Sequence, residues 1–210
     1  MNNQMKRKNR YKIWPFLTKL GIIILLILGF TAYNLMKTSD AQTTSALASQ
    51  VQTVTRYNFI RELAPAALQA QKEDKILPSL TLAQACLESD FGQSLLASKY
   101  HNLFGVKAYG NVPTVKLDTQ EFENGKWITI SGQFRVYATD EASVLGHSKL
   151  FVNGTTWNPN QYAAVLNAKD YKAAAKAVQT SGYATDPAYS AKLIQIIESY
   201  QLQKYDQAVN

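Results

Sequence analysis

The sequence has little of the chemistry that metal-dependent and thiol enzymes use. Its 210 residues include one cysteine, Cys86, and two histidines, His101 and His147. A lone cysteine cannot form an intramolecular disulfide, and no His-x-x-x-His pair is present for a zinc hydrolase. Cys86 lies in an apolar stretch, which is typical of a small buried side chain and argues against a cysteine peptidase.

Two other catalytic signatures are missing as well. The sequence has no Gly-x-Ser-x-Gly elbow of the serine hydrolases and no glycine-rich phosphate loop. Carboxylates, tyrosines and amides remain, and these are the groups that glycoside hydrolysis uses. We therefore expect no metal and no organic cofactor.

The positive charge of the sequence is confined to its N-terminal end. Formal net charge is +7, but residues 1–37 hold seven basic residues and no acidic one. That leaves 15 basic and 15 acidic residues in the remainder of the chain. A neutral domain lacks the basic surface that nucleic-acid binding needs, so no nucleic-acid partner is expected.

An apolar run follows the basic tail. Residues 20–36 carry no charge, and the length of the run suits a membrane helix of about 20 residues. The positive-inside rule predicts a cytoplasmic tail at residues 1–12, a transmembrane signal-anchor at 13–36 and an extracellular remainder. The expected location is the cell membrane, in a single pass, with the lipid bilayer as a partner. A cleaved signal peptide is the alternative, in which case the protein is secreted.

The chain beyond the apolar run divides into two parts. Residues 37–52 are small and polar without periodicity, which predicts a flexible spacer. Residues 53–210 are predicted to form one globular domain.

Helical periodicity dominates this domain. Apolar spacing predicts a helix around residues 59–68, kinked or split by Pro65. A second helix is predicted at about 80–90, with Gly92 as its stop, and its apolar character on nearly all sides predicts burial. The pattern further predicts helices at about 140–152, capped by its first residue, then near 161–166 and 171–179, and from residue 186 onward.

A β-hairpin interrupts the helical pattern. Asn124-Gly125, between two alternating runs, is a strong hairpin signal, and a two-residue turn pairs Glu121 with Ile128. A separate β run is predicted at 133–138, after a break at Ser131-Gly132. The predicted fold class is therefore α+β, with a mainly helical lobe and a small β-hairpin lobe after one N-terminal transmembrane helix.

Glu88 lies near the C-terminal end of the apolar second helix. Partial burial there raises the pKa of a carboxyl group and keeps it protonated, as a general acid requires. The partial negative charge of the helix end acts in the same direction. By position alone, a glutamate on the solvated face of the helix is an equal interpretation.

The surrounding sequence favours the catalytic interpretation. In order and spacing, five blocks resemble glycoside hydrolase family 73, the glucosaminidase domain of bacterial autolysins and flagellar peptidoglycan hydrolases. The blocks lie at residues 76–92, which include Glu88-Ser89, and at 102–107, 119–121, 134–137 and 182–189. The resemblance covers about residues 55–205. Asp90-Phe91 departs from the family's usual small residue and aromatic, which affects a subsite but not the acid.

The resemblance implies a lysozyme-like fold with a groove between the two lobes. It implies an endo-β-N-acetylglucosaminidase that cleaves the β-1,4 bond between N-acetylglucosamine and N-acetylmuramic acid in peptidoglycan glycan strands. Its catalytic residues are expected to be Glu88 as the acid, Glu121 as the second carboxylate and Tyr183. Its substrate-binding residues are expected to be Asn102, Phe104 and Tyr189.

Several alternatives stay open from the sequence. The domain could have N-acetylmuramidase specificity, act as an amidase or peptidase, or serve as a non-catalytic cell-wall-binding scaffold of the same fold. Glu121 either activates water in an inverting reaction or stabilises positive charge while the acetamido group of the substrate attacks.

Overall fold

The computed structural model describes the backbone of residues 14–123 and 126–206 and, within them, the side chains of residues 37–118, 126 and 128–206. The chain divides into two compact units, Met1–Thr53 and Val54–Asn210. The predicted cytoplasmic tail at 1–12 and the side chains of the predicted signal-anchor at 13–36 lie outside the described residues. In the part that is described, no helix is both long and apolar enough to cross a bilayer.

The helix α1 runs from Trp14–Asp74 and has 61 residues. The predicted flexible spacer at 37–52 is helical and exposed, so the prediction of its conformation was wrong. It contains no glycine or proline, the residues that most strongly disfavour a helix. Pro65 lies inside α1 without splitting it. Burial of Leu63 and Ala67 on either side offsets the hydrogen bond that proline cannot make.

Short helices make up most of the second unit. In the described part they are α2 (Pro78–Ser89), α3 (Leu95–Tyr100), α4 (Asp140–Asn153), α5 (Ala163–Leu166), α6 (Tyr171–Thr180), α7 (Tyr189–Ser199) and a 3-10 helix (Leu202–Tyr205). The cap of α4 is Thr139 and not Asp140, since its hydroxyl accepts the Ala142 N–H. The N-cap of α7 is Ala188, two residues after the predicted cap Asp186, because the Asp186 carboxylate accepts the Ala188 N–H and forms a turn before the helix.

Helix α2 forms the centre of the hydrophobic core. Ten of its twelve residues are buried, and it packs against α4, α6, α7 and the 3-10 helix. Hydrogen bonds join the first turn of α2 to the residue after the 3-10 helix. Asp206 accepts them from the Ser79 N–H at 2.9 Å and from the Ser79 hydroxyl at 2.7 Å. The prediction of a buried second helix is therefore confirmed.

The hairpin is also confirmed. Strands β1 (Thr114–Glu123) and β2 (Lys126–Arg135) are antiparallel, and Glu121 pairs with Ile128 as predicted. The separate β run predicted after Gly132 was wrong, since β2 continues through this residue. The reason lies in the partner strand, because β1 extends far enough to pair Leu117 with Gly132. The fold is thus mainly helical with one two-stranded sheet, as the α+β prediction stated.

Candidate active site

Glu88 meets Tyr189 at the packed surface between α2 and α7. The Tyr189 hydroxyl donates a hydrogen bond of 2.5 Å to Oε1 of Glu88. Tyr189 is 3% exposed, whereas Glu88 lies at the last turn of α2 and is exposed to solvent. The helix pair therefore holds one carboxylate oxygen in place while the side chain stays accessible from outside.

The surroundings of Glu88 favour its protonated form. Burial raises the pKa of Glu88, and the Tyr189 hydrogen bond lowers it by a smaller amount. Solvent exposure and a burial effect are compatible, because protein atoms surround the carboxyl group on several sides while one side stays open. A carboxylic acid that is kept protonated and accessible can donate a proton to a bound molecule.

Gln84 extends this hydrogen-bonded chain by one member. It lies one turn before Glu88 on α2, is fully buried, and donates from Nε2 to the Tyr189 hydroxyl at 3.2 Å. Gln84 was not among the site residues predicted from the sequence. The available signal was a long polar side chain in the middle of an otherwise apolar helix.

Tyr183 lies behind Tyr189 in an aromatic cluster. The two rings stack with centroids 5.9 Å apart and planes at 22°. Burial raises the pKa of the Tyr183 phenol well above its ordinary value, and the nearby charge of Glu88 acts in the same direction. The phenol is therefore neutral beside the acid. The structure thus brings together Glu88, Tyr183 and Tyr189, three of the six residues predicted for the site.

His147 belongs to the same aromatic cluster. Its ring stacks on Phe104 and meets the rings of Phe151 and Tyr183 at steep angles. Among the described residues, neither ring nitrogen has a hydrogen-bond partner, and burial lowers the pKa of His147 to about 3. This histidine is therefore neutral and packs as an aromatic ring. Phe104 is likewise a core residue, with 5% of its surface exposed.

Asn102 holds the loop before β1 against the end of β2. Its amide donates to the carbonyls of Val106 and Arg135 at 2.9 and 2.8 Å, and its carbonyl accepts the Val106 N–H. Asn102 is 1% exposed. These bonds give Asn102 a structural role, and its role in substrate binding stays a prediction.

The backbone turns sharply directly after Glu88. Asp90, Phe91 and Gly92 all have positive φ angles, which are unfavourable for the first two. The Ser89 hydroxyl accepts the Gly92 N–H at 2.7 Å and closes the turn. Helix α2 ends at Ser89 with Asp90 as its left-handed cap, close to the predicted end at about residue 90, and Gly92 lies in the turn just beyond.

Glu121 is placed by the backbone alone. It lies near the end of β1, opposite Ile128, and its side chain is outside the described part of the structure. Its assignment as the second carboxylate stays a prediction.

A groove of about 380 Å³ lies elsewhere on the second unit. Its lining includes Asn58, Glu62, Phe91, His101 and Asp140, but not Glu88. We place the site at Glu88, because that is where a titratable group with a perturbed pKa meets polar partners. In the described part of the chain, no group of three or more His, Cys, Asp or Glu side chains could hold a metal ion.

Comparison with known proteins adds independent information. The glucosaminidase family, described as mannosyl-glycoprotein endo-beta-N-acetylglucosaminidase, matches residues 64–202. The chain is 49% identical over 149 residues to the exo-glucosaminidase LytG of Bacillus subtilis (strain 168), an alignment that covers 71% of this chain and 53% of that protein. It is 33% identical over 215 residues to a probable N-acetylmuramidase of Lactococcus lactis subsp. cremoris, with coverage of 99% and 47%.

A solved structure has the same fold. The catalytic domain of the autolysin Auto from Listeria monocytogenes matches with a TM-score of 0.67 at 35% identity, over 72% of this chain and 88% of that one. The chain spans about half the length of the two curated relatives.

Proposed function

The chain belongs to the glucosaminidase family, and from this membership we propose that it is a glycoside hydrolase acting on the glycan strands of peptidoglycan. The membership confirms the resemblance found in the sequence, and the likeness to the autolysin catalytic domain confirms the lysozyme-like fold. The observation that carries the proposal is the pairing of Glu88 with Tyr189, in which an accessible carboxyl group has a pKa raised by burial.

The proposed bond is the β-1,4 linkage between N-acetylglucosamine and N-acetylmuramic acid, cleaved within the strand. Protonated Glu88 gives its proton to the oxygen that links the two sugars. The bond from C1 to this oxygen then breaks, and positive charge develops at C1. Water adds to C1 and loses a proton, so that one new reducing end forms at each cleavage.

Glu121 is the proposed second carboxylate. Its place near the end of β1 puts it on the hairpin, the second lobe of the fold. It either takes the proton of the attacking water or stabilises the positive charge while the acetamido group of the substrate attacks C1. Tyr183 stands beside the acid as a neutral phenol, which suits a hydrogen bond to the acetamido group.

N-acetylmuramidase specificity is the second candidate. It is favoured by the similarity to the Lactococcus lactis protein, whose name is probable N-acetylmuramidase. The two activities use the same acid and differ in which sugar carries the new reducing end.

We also propose that residues 13–36 anchor the enzyme in the cell membrane with the domain outside, where peptidoglycan lies. The support is the basic tail followed by an uncharged apolar run in the sequence. If the segment is cleaved, the domain is secreted.

The experiment compares digestion of purified cell walls by the wild type and by Glu88→Gln. The wild type is expected to release reducing sugar ends, and mass spectrometry identifies the sugar that carries them. Glu88→Gln should lose at least about a hundredfold in rate, since it lacks the transferable proton. Equal rates in the two proteins would remove Glu88 as the acid, and product without new reducing ends would indicate an amidase or peptidase.

The chain offers a matched control for this substitution. Glu198 on α7 also accepts a hydrogen bond from a tyrosine, Tyr171, but the pair is exposed. Glu198→Gln is therefore expected to keep the wild-type rate. A loss in both variants would point to a general effect on the fold.

A further inference from the structure

We infer that Gln84 and Tyr189 are positioning residues that hold Oε1 of Glu88 and leave Oε2 as the atom that delivers the proton. The inference rests on the proposed function, because it takes Glu88 as the general acid. It goes further by identifying the reacting oxygen and the residues that select it.

The direction of each hydrogen bond follows from what the groups can donate. The Gln84 amide nitrogen carries hydrogens and has no lone pair to accept one, so the Tyr189 oxygen must accept from it at 3.2 Å. The single hydroxyl hydrogen of Tyr189 is then free to go to Oε1 of Glu88, 2.5 Å away. Because Oε1 already receives this hydrogen, the proton of the neutral carboxylic acid sits on Oε2.

Packing holds the hydrogen-bonded side chains of Gln84, Tyr189 and Glu88 in one arrangement. Gln84 and Glu88 are four residues apart on α2, so they lie on the same face one turn apart. Gln84 is fully buried, Tyr189 is 3% exposed, and the Tyr189 ring is stacked on Tyr183. Both side chains are therefore packed in place, and the Tyr189 hydroxyl holds Oε1 of Glu88.

A purely structural role does not explain Gln84, because its side chain lowers the stability of the fold. Its Oε1 is buried and has no hydrogen-bond partner in the described part of the chain. An unsatisfied buried carbonyl destabilises a fold, and leucine at this position would avoid that cost. The amide is therefore better explained by the hydrogen bond that it gives to Tyr189.

The other titratable groups around the hydrogen-bonded residues Gln84, Tyr189 and Glu88 stay uncharged at mildly acidic and neutral pH. Burial is the first cause of a raised pKa for each phenol of the cluster, and burial lowers the pKa of the one histidine to about 3. These groups come from the loop after β2, α4, the loops before α5 and α7, and α7 itself. They are Tyr137, His147, Tyr162, Tyr183 and Tyr189. Among the described groups of this cluster, the alkaline limb of a pH-rate profile therefore reports on Glu88, whereas Glu121, acting as a base, would set the acidic limb.

The first test is Tyr189→Phe, which keeps the ring and removes the hydroxyl. Tyr189 donates to the ionised carboxylate, so its loss should raise the pKa of Glu88 by about one pH unit. The alkaline limb of the pH profile of kcat/KM should move to higher pH by the same amount, because Glu88 must be protonated to act as the acid. The maximal kcat should fall about tenfold with little change in KM, since the carboxyl group is less well oriented.

The sign of the shift decides the direction of the hydrogen bond. If protonated Glu88 donated to Tyr189 instead, Tyr189→Phe would remove a hydrogen bond that stabilises the neutral acid. The alkaline limb of the pH profile would then move to lower pH. A downward shift, or no shift, would overturn the inference. Carbon-13 NMR titration of the Glu88 carboxyl reads the same pKa without any need for activity.

Gln84→Leu gives the second, independent test. Without the amide donor, the Tyr189 hydroxyl is a weaker donor, so the limb should move upward by less than in Tyr189→Phe. In a double-mutant cycle, Gln84→Leu should cause no further shift when Tyr189 is already phenylalanine, because Gln84 acts through that hydroxyl. An equal shift in both backgrounds would show a merely structural role. If Tyr189→Phe fails to fold, the upward shift in Gln84→Leu alone carries the test.

Tyr171→Phe is the matched control. It removes a tyrosine hydroxyl that donates to a glutamate, Glu198, at 3.0 Å on the exposed surface. The pH profile of this variant should match that of the wild type. Failure of the proposed function is distinguishable, because it would show as absent reducing-end release in the wild type or as full activity in Glu88→Gln. Failure of the positioning inference leaves both of those results intact.

Discussion

His147 and Phe104 stack face to face, with ring centroids 3.8 Å apart and planes within 10° of parallel. The histidine is completely buried, and neither of its nitrogens has a hydrogen-bond partner among the described residues. A protonated imidazole at this position would place an unpaired charge in an apolar environment. The folded state therefore requires the His147 ring to be neutral.

Because the folded chain requires a neutral His147, the free energy of unfolding depends on pH. The pKa of His147 is about 3 in the folded chain and near its ordinary value of 6.5 in the unfolded chain. Between these values the unfolded chain binds a proton that the folded chain does not. The free energy of unfolding should therefore fall as the pH drops from about 6.5 towards 3, by roughly 1.4 kcal/mol per pH unit from this group. Urea unfolding of the wild type and His147→Phe at several pH values measures the slope, which should be flatter in the variant; equal slopes would contradict the prediction.

Gly92→Ala is expected to destabilise the domain by about 2 to 4 kcal/mol. A Cβ at this position would lie 2.7 Å from Cε2 of Phe59, and the φ angle of +81° disfavours any side chain. The control is Gly110→Ala, where φ is also positive at +73° but nothing lies within 4 Å. It should cost only about 1 kcal/mol. Chemical denaturation of both variants separates the two effects, and equal losses would exclude the contact with Phe59 as the cause.

Asn102→Ala should destabilise the domain by about 1 to 3 kcal/mol, because partly buried backbone groups of Val106 and Arg135 lose their partners. Hydrogen exchange at the Val106 amide should become faster in the variant. Asn167→Ala provides the comparison, since the Asn167 amide makes one exposed bond to the Ala163 carbonyl. That variant should lose less than about 1 kcal/mol. Similar losses in the two variants would speak against the structural role of Asn102.

Glu121→Gln tests the second carboxylate. On the proposed mechanism, the rate of reducing-end release should fall about a hundredfold or more, because water is no longer activated or the charge at C1 no longer stabilised. Glu123→Gln, two residues along β1, is the matched change and should keep the wild-type rate. Circular dichroism confirms that both variants fold. Full activity in Glu121→Gln would assign the second role to another group.

The proposed membrane anchor leads to a prediction for the behaviour of the protein in cells. The full-length chain should stay in the membrane fraction after an alkaline wash, since apolar contacts with lipid resist high pH. A variant that lacks residues 1–36, exported by a cleavable leader, should appear in the soluble fraction. Recovery of only a shortened soluble form of the full-length chain would show cleavage in place of anchoring.

The sequence was most informative where structure depends on near neighbours. The buried helix α2 and the pairing of Glu121 with Ile128 both follow from residues within one helix or one hairpin. The blocks from residue 76 to residue 189 were enough to identify the family. Helix α3 was missed, because six residues are too short for a periodic pattern.

Where partners are distant in the chain, the local pattern was a poor guide. Strand β2 continues through Gly132 because β1 is there to pair with it, and α1 continues through Pro65 because its neighbours are buried. In both cases packing or pairing outweighs the preference of a single residue. The hydrogen bond from the Asn102 amide to the Arg135 carbonyl was not predicted, because the two residues are 33 positions apart in the chain.

By itself, therefore, the sequence determined the family, the helical character and the hairpin and predicted Glu88 as the acid, because each depends on residue type at short spacing. Only the tertiary structure decided what stands next to that acid. Tyr189 is 101 residues from Glu88 along the chain and reaches it because α2 and α7 pack together. A hydrogen bond of this kind depends on distances of a few tenths of an ångström between separate helices, and no local pattern encodes them.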